Sequence, residues 1–343
     1  MRVLYLHPNE HCYLAESLFH GLRSLLGADC VEVPHYRSLY APLTDDVRNH
    51  LRGGGFTLYG LLPELPELEA RRRAWREELK TYDLVILARI WDQGLLFQEL
   101  SRLLGPDRLV LVDGADSPTV FPFGWKTGGL NHHPSVYFSP VSRYRYFKRE
   151  WIDKGASYGR LAALRWLHPW LPGPRYMRPI AFSIPAEKIV RVSPHKKSKE
   201  FPAHIVDADV AATQDGAVYS GVGSSHYAFT TEADYVRDLQ QSRFGVTTKR
   251  AGWDCLRHYE LAANGCVLAF RDVDQKPETC APHGLNASNS LSYRSVQELQ
   301  QKIAALSPSE YERLQKASYD WIEQNTTLAR ARQFVKECQT PLV

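Results

Sequence analysis

Ser242-Arg-Phe-Gly-Val-Thr-Thr-Lys-Arg-Ala-Gly-Trp-Asp-Cys-Leu-Arg-His-Tyr-Glu-Leu-Ala-Ala-Asn-Gly-Cys-Val-Leu-Ala-Phe270 is the stretch on which the fold turns. It reads as a strand ending near Thr247, a basic glycine turn, a helix starting near Trp253 or Asp254, a glycine stop at Gly265 and a strand over Cys266–Phe270. A helix entered this way presents unpaired N–H groups and a partial positive charge, which suits a phosphate. Lys249 and Arg250 supply cations at the turn, and Gly252 lets a ligand approach the backbone. Asp254 opens the helix. Arg257 and Glu260 stand at i,i+3 and share a face; a solvated helix with an Arg257–Glu260 pair is the plainer alternative.

The run resembles the nucleotide-binding half of GT-B glycosyltransferases. There a loop and helix end in an acid, followed by a small residue, a glycine and a short apolar strand; here these are Glu260, Asn264, Gly265 and Cys266-Val-Leu-Ala-Phe270. Ser242-Arg-Phe-Gly245, Arg257 and Gly265-Cys266 also resemble the exostosin-type version. The usual proline after the glycine is absent, with Val267-Leu268 in its place, and the N-terminal half carries no comparable motif. The resemblance implies two Rossmann-like domains facing across a cleft. It also implies a donor site of Lys249, Arg250, Gly252, Asp254, Arg257 and Glu260, with Glu260 accepting from ribose hydroxyls. No divalent metal and no cofactor beyond the nucleotide-sugar donor are implied.

Outward from this run the sequence is that of an α/β protein. Val3–Leu6, Cys30–Val33, Tyr82–Ala88 and Leu109–Asp113 are short apolar runs, separated by helical spacing over Leu14–Leu26, which stops at Gly27, and over Leu68–Leu79. Such alternation predicts a parallel sheet covered on both faces. Further amphipathic helices are expected over Val296–Leu306, Glu310–Trp321 and Leu328–Val335. The 343 residues fit two domains. We place an acceptor domain at 1–180 and a nucleotide-sugar domain at 181–343, with the last helix packing back on the first. Leu167–Pro174 breaks regular structure near that border, and Lys188–Lys199 reads as a linker or strand edge.

Ligands of parallel sheets sit at the carboxyl ends of strands. Three loops qualify: His7–His11, Arg89–Asp92 and Asp113–Asp116. A base for the acceptor hydroxyl is expected there, with Asp116, Asp92 and His11 as candidates, in that order, and Glu10 beside His11. Each also has a structural alternative, such as a helix cap at Asp116. Lys148 and Arg149, within Tyr146–Glu150, are candidate contacts to a phosphate or acceptor; the alternative is an exposed amphipathic helix end.

Other patterns carry less. Cys255 and His258, and Cys280 and His283, are spaced three apart, which suits zinc poorly. Asp207-Ala-Asp209 and Asp272-Val-Asp274 are the acid pairs that hold a divalent ion in GT-A enzymes, but the basic run already suits a diphosphate. Gly221-Val-Gly-Ser-Ser225 lacks the lysine of a P-loop and reads as a loop beside the donor.

Hydrophobic content of 44% and charged content of 23% are globular values, and the net charge of +4 is too small to argue for nucleic acid. No apolar run is long enough for a membrane span. Met1–His7 reads as a strand rather than a signal peptide, and six scattered cysteines suit a reducing compartment. The expectation is a cytoplasmic glycosyltransferase, able to work at the inner face of the membrane, with a nucleotide-sugar donor and a glycan, lipid-linked sugar or other hydroxyl acceptor. The alternatives are a non-catalytic nucleotide-sugar or carbohydrate-binding protein and a nucleic-acid-modifying glycosyltransferase.

Overall fold

The computed structural model describes residues 1–123, 134–152, 158, 174–219 and 228–341, without the side chains of residues 52, 53, 134 and 137. The Gly221–Ser225 loop and most of the Leu167–Pro174 border lie outside the described residues.

The first sheet is built from β1 (Val3–Leu6), β2 (Cys30–Val33), β3 (Leu84–Ala88), β4 (Leu109–Asp113), β5 (Arg145–Lys148) and β6 (Tyr176–Pro179). Its order is β2-β1-β3-β4-β5-β6, and each neighbouring pair is parallel. The helices of this half are α1 (Tyr13–Leu26), α2 (Asp45–Arg48), α3 (Leu68–Arg73) and α4 (Gly94–Leu100). In the second half β7 (His204–Ile205) and β8 (Val218–Tyr219) form a small parallel pair. A parallel sheet in the order β11-β10-β9 is made by β9 (Phe244–Thr247), β10 (Val267–Arg271) and β11 (Ser290–Tyr293). Around these lie α5 (Ala208–Ala211), α6 (Glu232–Gln241), α7 (Leu256–Ala263), α8 (Val296–Ala305), α9 (Pro308–Glu323) and α10 (Thr327–Gln339).

Three apolar layers follow from strand alternation. Leu4, Leu6, Val85 and Leu87 face one side of the first sheet with Phe97 and Leu100 of α4. Val246, Val267 and Ala269 face one side of the second with Leu299 and Leu314. The opposite faces share one core, in which Val3, Tyr5, Ile86 and Val110 are continuous with Leu261, Leu268, Phe270, Ile322 and Phe334. Burying a large apolar side chain contributes about 1.5–3 kcal/mol, so this shared layer joins the two halves strongly. It also contains the contact of α10 with α1. That approach is close: a Cβ on Gly21 would lie 2.0 Å from Thr327 O, and His20 Nδ1 is 3.0 Å from Thr327 Oγ1.

Three expectations need correction. The helix expected over Leu68–Leu79 ends at Arg73 and continues only as hydrogen-bonded turns, while Arg72 is drawn to the buried Glu32 at 2.7 Å. Tyr146–Glu150 is no helix end: Arg145–Lys148 forms β5 inside the first sheet, with every residue buried. The helix after the basic loop begins at Leu256 rather than Trp253 or Asp254, for a reason that lies in the site itself.

Candidate functional site

The loop between β9 and α7 is held by an acid from the other half of the chain. Glu150 Oε2 accepts the Trp253 N–H at 3.1 Å, and Oε1 accepts the Asp254 N–H at 3.1 Å. These amides are thereby spent before the helix starts, so Cys255 becomes the residue preceding it. Gly252 is required by this approach, since a Cβ there would lie 2.5 Å from Glu150 Oε1. Gly252 thus makes room for a carboxylate of the protein.

Arg149 completes the junction. Its guanidinium donates to Glu150 Oε1 at 2.9 Å, to Asp254 O at 3.0 Å, to Gly114 O and to the Asp116 carboxylate. Asp254 is also consumed: Oδ2 accepts the Phe182 N–H at 2.9 Å and Oδ1 the Tyr259 hydroxyl at 3.0 Å. Burial pushes the Asp254 carboxyl up to about 6, against the pull of Arg149. Lys148 is fully buried, 2.9 Å from Asp113 Oδ2, and burial lowers its pKa. Arg149 and Glu150, through Asp254 O and the Trp253 and Asp254 amides, therefore hold the two halves together, while the Lys148 side chain is locked within the first half and the Asp254 carboxylate within the second.

The cleft lies one turn further along. A cavity of about 120 Å³ is lined by Arg250, Cys255, Leu256, Arg257 and Glu260 at the start of α7, by His204 and Tyr235, and by Tyr13 and Phe56 from the first half. Glu260 Oε2 accepts the Tyr235 hydroxyl at 2.7 Å, and Oε1 accepts the Thr57 hydroxyl at 2.5 Å. Arg257 Nη2 is 3.4 Å from His204 Nε2. Burial, with Arg257 and Arg250 nearby, pushes His204 down to about 3. A guanidinium only donates, so the neutral imidazole accepts there and carries its proton on Nδ1. Lys249 lies elsewhere, its Nζ 5.0 Å from the centre of the Trp253 ring. A second hollow of about 620 Å³ opens around Asp83, Asp107 and Arg145, at the amino ends of the strands and away from the cleft.

The three base candidates differ in their surroundings. Asp116 is paired with Arg149, and Asp92 with Arg89 at 2.8 Å. His11 Nδ1 is 3.3 Å from Glu16 Oε1, and Glu16, which is buried, also accepts the Tyr59 hydroxyl at 3.0 Å. The imidazole is thus backed by an orienting carboxylate, two residues before the cleft-lining Tyr13.

His258 is a strap inside the second half, with Nδ1 3.1 Å from Thr247 Oγ1 and Nε2 3.1 Å from Trp253 O; burial pushes it down to about 3. Asp207 and Asp209 both bind Arg271, and Asp274 binds Arg294. Among the described residues no group of three or more His, Cys, Asp or Glu side chains converges as a metal site would need. Among them, too, no helix is long and apolar enough to cross a membrane.

Sequence reasoning missed Phe56, Thr57, His204 and Tyr235. The triplet Gly53-Gly-Gly55 before Phe56-Thr57 was the available signal for the first two; a lone histidine and a helical tyrosine offered none.

No family model matches the sequence, and no curated protein matches it. Solved structures do. Anabaena HepE in complex with UDP-glucose is 11% identical, with 98% of each chain covered and a TM-score of 0.51. The trehalose-6-phosphate synthase OtsA is 12% identical, with 100% of each chain covered and a TM-score of 0.53. A glycosyltransferase from Rickettsia africae is 9% identical, with 98% of each chain covered and a TM-score of 0.53. At these identities the likeness shows the architecture of the chain, which is the GT-B fold of two Rossmann-like units.

Proposed function

We propose that the protein is a glycosyltransferase that moves a sugar from a nucleotide-sugar donor to a hydroxyl acceptor. One observation carries this reading: Arg250, Arg257 and Glu260 converge at the first turns of α7, in a cleft closed from the other half by Tyr13 and Phe56. Two guanidinium groups at a helix N-terminus suit a diphosphate. Fixed positive charge there stabilises the leaving oxygen without reorganisation. Because these cations already stand at the helix end, no divalent metal is assigned to that task. Glu260 takes the ribose hydroxyls. Anabaena HepE, of similar fold, is described with UDP-glucose, which supports a donor of this class.

In this proposal the 1–180 half presents the acceptor and the 181–343 half the donor. His11 is the base we favour over Asp92 and Asp116, because both of those are tied to arginines while Glu16 orients the imidazole through Nδ1. His11 Nε2 takes the acceptor proton as the sugar's C1 bond to the leaving oxygen breaks. A cytoplasmic site of action, including lipid-linked acceptors at the inner face of the membrane, belongs to the same proposal.

The test is nucleotide release from UDP-, GDP-, ADP- and TDP-linked sugars, with simple sugars and lipid-linked sugars as acceptors. His11→Ala should lower kcat by about 100-fold or more with little change in donor affinity. Turnover from no donor, or full kcat in the His11 variant together with loss in Asp92→Asn or Asp116→Asn, would sink the assignment.

A further inference from the structure

Glu260 is the acid that the proposed function gives to ribose, yet both of its oxygens already accept hydroxyl groups of the protein. Tyr235 OH donates to Oε2 at 2.7 Å, and Thr57 Oγ1 donates to Oε1 at 2.5 Å. One hydroxyl on each carboxylate oxygen is also how a carboxylate receives a cis-diol. Tyr235 is on α6, in the same half as Glu260. Thr57 comes from the other half, 203 positions away in the sequence.

The segment that carries Thr57 is fastened to the donor half by three contacts. Besides the bond to Glu260, the Thr57 N–H donates to Glu232 Oε1 at 2.8 Å. The Phe56 ring lies against the Tyr235 ring, with centroids 5.9 Å apart and planes at 23°. Lys188 holds Glu232 in turn at 2.7 Å. The backbone is unusual at this point: Thr57 has φ 70°, a left-handed conformation that a β-branched residue adopts only when its surroundings impose it. Gly54 and Gly55 before it and Gly60 after it have φ 65°, 73° and 67°, which lets the chain turn sharply into and out of the cleft. The contacts that impose the conformation on Thr57 include two carboxylates of the donor half, and one of them is the carboxylate a nucleotide would need.

We propose that residues 54–60 form a strap that self-occupies the donor site. Thr57 stands on Glu260 in place of a ribose hydroxyl, and a nucleotide enters by displacing it. This rests on the reading of Glu260 as the ribose acceptor. Displacement frees Thr57 from its strained conformation and draws Phe56 away from Tyr235, so binding at the ribose is coupled to opening of the cleft wall. The empty protein keeps the cleft shut, and its apparent nucleotide affinity is reduced by the fraction of molecules in which the strap is engaged.

The experiment is calorimetric titration of UDP, GDP and ADP into the full chain and its Thr57→Val, Thr57→Ser and Glu260→Ala variants. It is joined to amide hydrogen exchange over residues 54–60 of the unmodified protein with and without the tightest of the three. Valine keeps the branched shape and removes the donor, so Thr57→Val should bind about tenfold tighter, while Thr57→Ser keeps the hydroxyl and stays near the unmodified protein. Exchange over 56–60 should speed up when nucleotide binds. Binding that is unchanged or weaker in Thr57→Val, or exchange that slows, makes Thr57 part of the bound site and overturns the strap. A nucleotide that binds the unmodified protein and is lost in Glu260→Ala upholds the ribose reading whatever Thr57 does. If the unmodified protein and Thr57→Val bind none of the three, the ribose reading fails and takes the strap with it.

Discussion

Lys148-Arg149-Glu150 and the set Arg250, Arg257 and Glu260 each combine two cations with one glutamate, one set in each half of the chain. The first set is enclosed, with side-chain exposures of 0%, 1% and 3%, and its partners are Asp113, Asp116, Asp254 and backbone groups. The second set lines a cavity. Charge in a sequence therefore says little until its partners are known. Where an acid from the other half reaches the backbone, as Glu150 does at Trp253 and Asp254, the charges become joints; one turn later Arg250, Arg257 and Glu260 line a cavity.

That contrast can be broken first at Glu150. Glu150→Ala takes from Arg149 the buried carboxylate it donates to, leaves two amides without an acceptor, and should cost about 3–5 kcal/mol in urea unfolding. Arg257→Ala should stay within about 1 kcal/mol of the unmodified protein. Equal costs at the two positions would erase the distinction.

Acid sharpens the contrast. His7, His204, His258 and His283 are held by burial at about 4, 3, 3 and 4. Their folded pKa values are depressed, so the stability they contribute is present above about pH 6.5 and is lost as the unfolded chain takes up protons below it. Each costs about 1.4 kcal/mol per pH unit. Asp254 works in the opposite direction: its raised carboxyl makes the folded state hold a proton the unfolded chain releases, and between pH 6 and about 4 acidification favours the fold. Four histidines against one carboxyl leave a net loss of about 4 kcal/mol per unit between pH 6 and 5. The melting temperature should fall over that interval, and Asp254→Asn should steepen the fall.

Gly252→Ala places a methyl against the Glu150 carboxylate and should cost about 1–3 kcal/mol. Asp92→Asn removes a half-exposed pair with Arg89 and should change stability by at most about 0.5 kcal/mol.

The strand–loop–helix–strand order of 242–270 and the first four strands were legible because apolar runs and glycine stops are local signals. β5 was not, since Arg145 and Lys148 look like surface residues until Asp113, on the neighbouring strand, neutralises Lys148. The start of α7 was off by two residues or more because Glu150, over a hundred positions earlier, takes the amides that would have opened the helix. Arg250, Arg257 and Glu260 line one cavity at the start of α7, as expected of residues clustered at one basic turn and its helix. Thr57 and His204 were not legible, because their roles exist only where distant segments meet.

The most direct measurement is a thermal-shift titration of UDP, GDP, ADP and TDP against the unmodified protein, Arg257→Ala and Lys249→Ala. At least one nucleotide should raise the melting temperature, Arg257→Ala should abolish the rise, and Lys249→Ala, which removes an amine lying over Trp253, should largely keep it. No rise with any nucleotide, or a rise that survives Arg257→Ala and disappears in Lys249→Ala, would contradict a donor site at the start of α7.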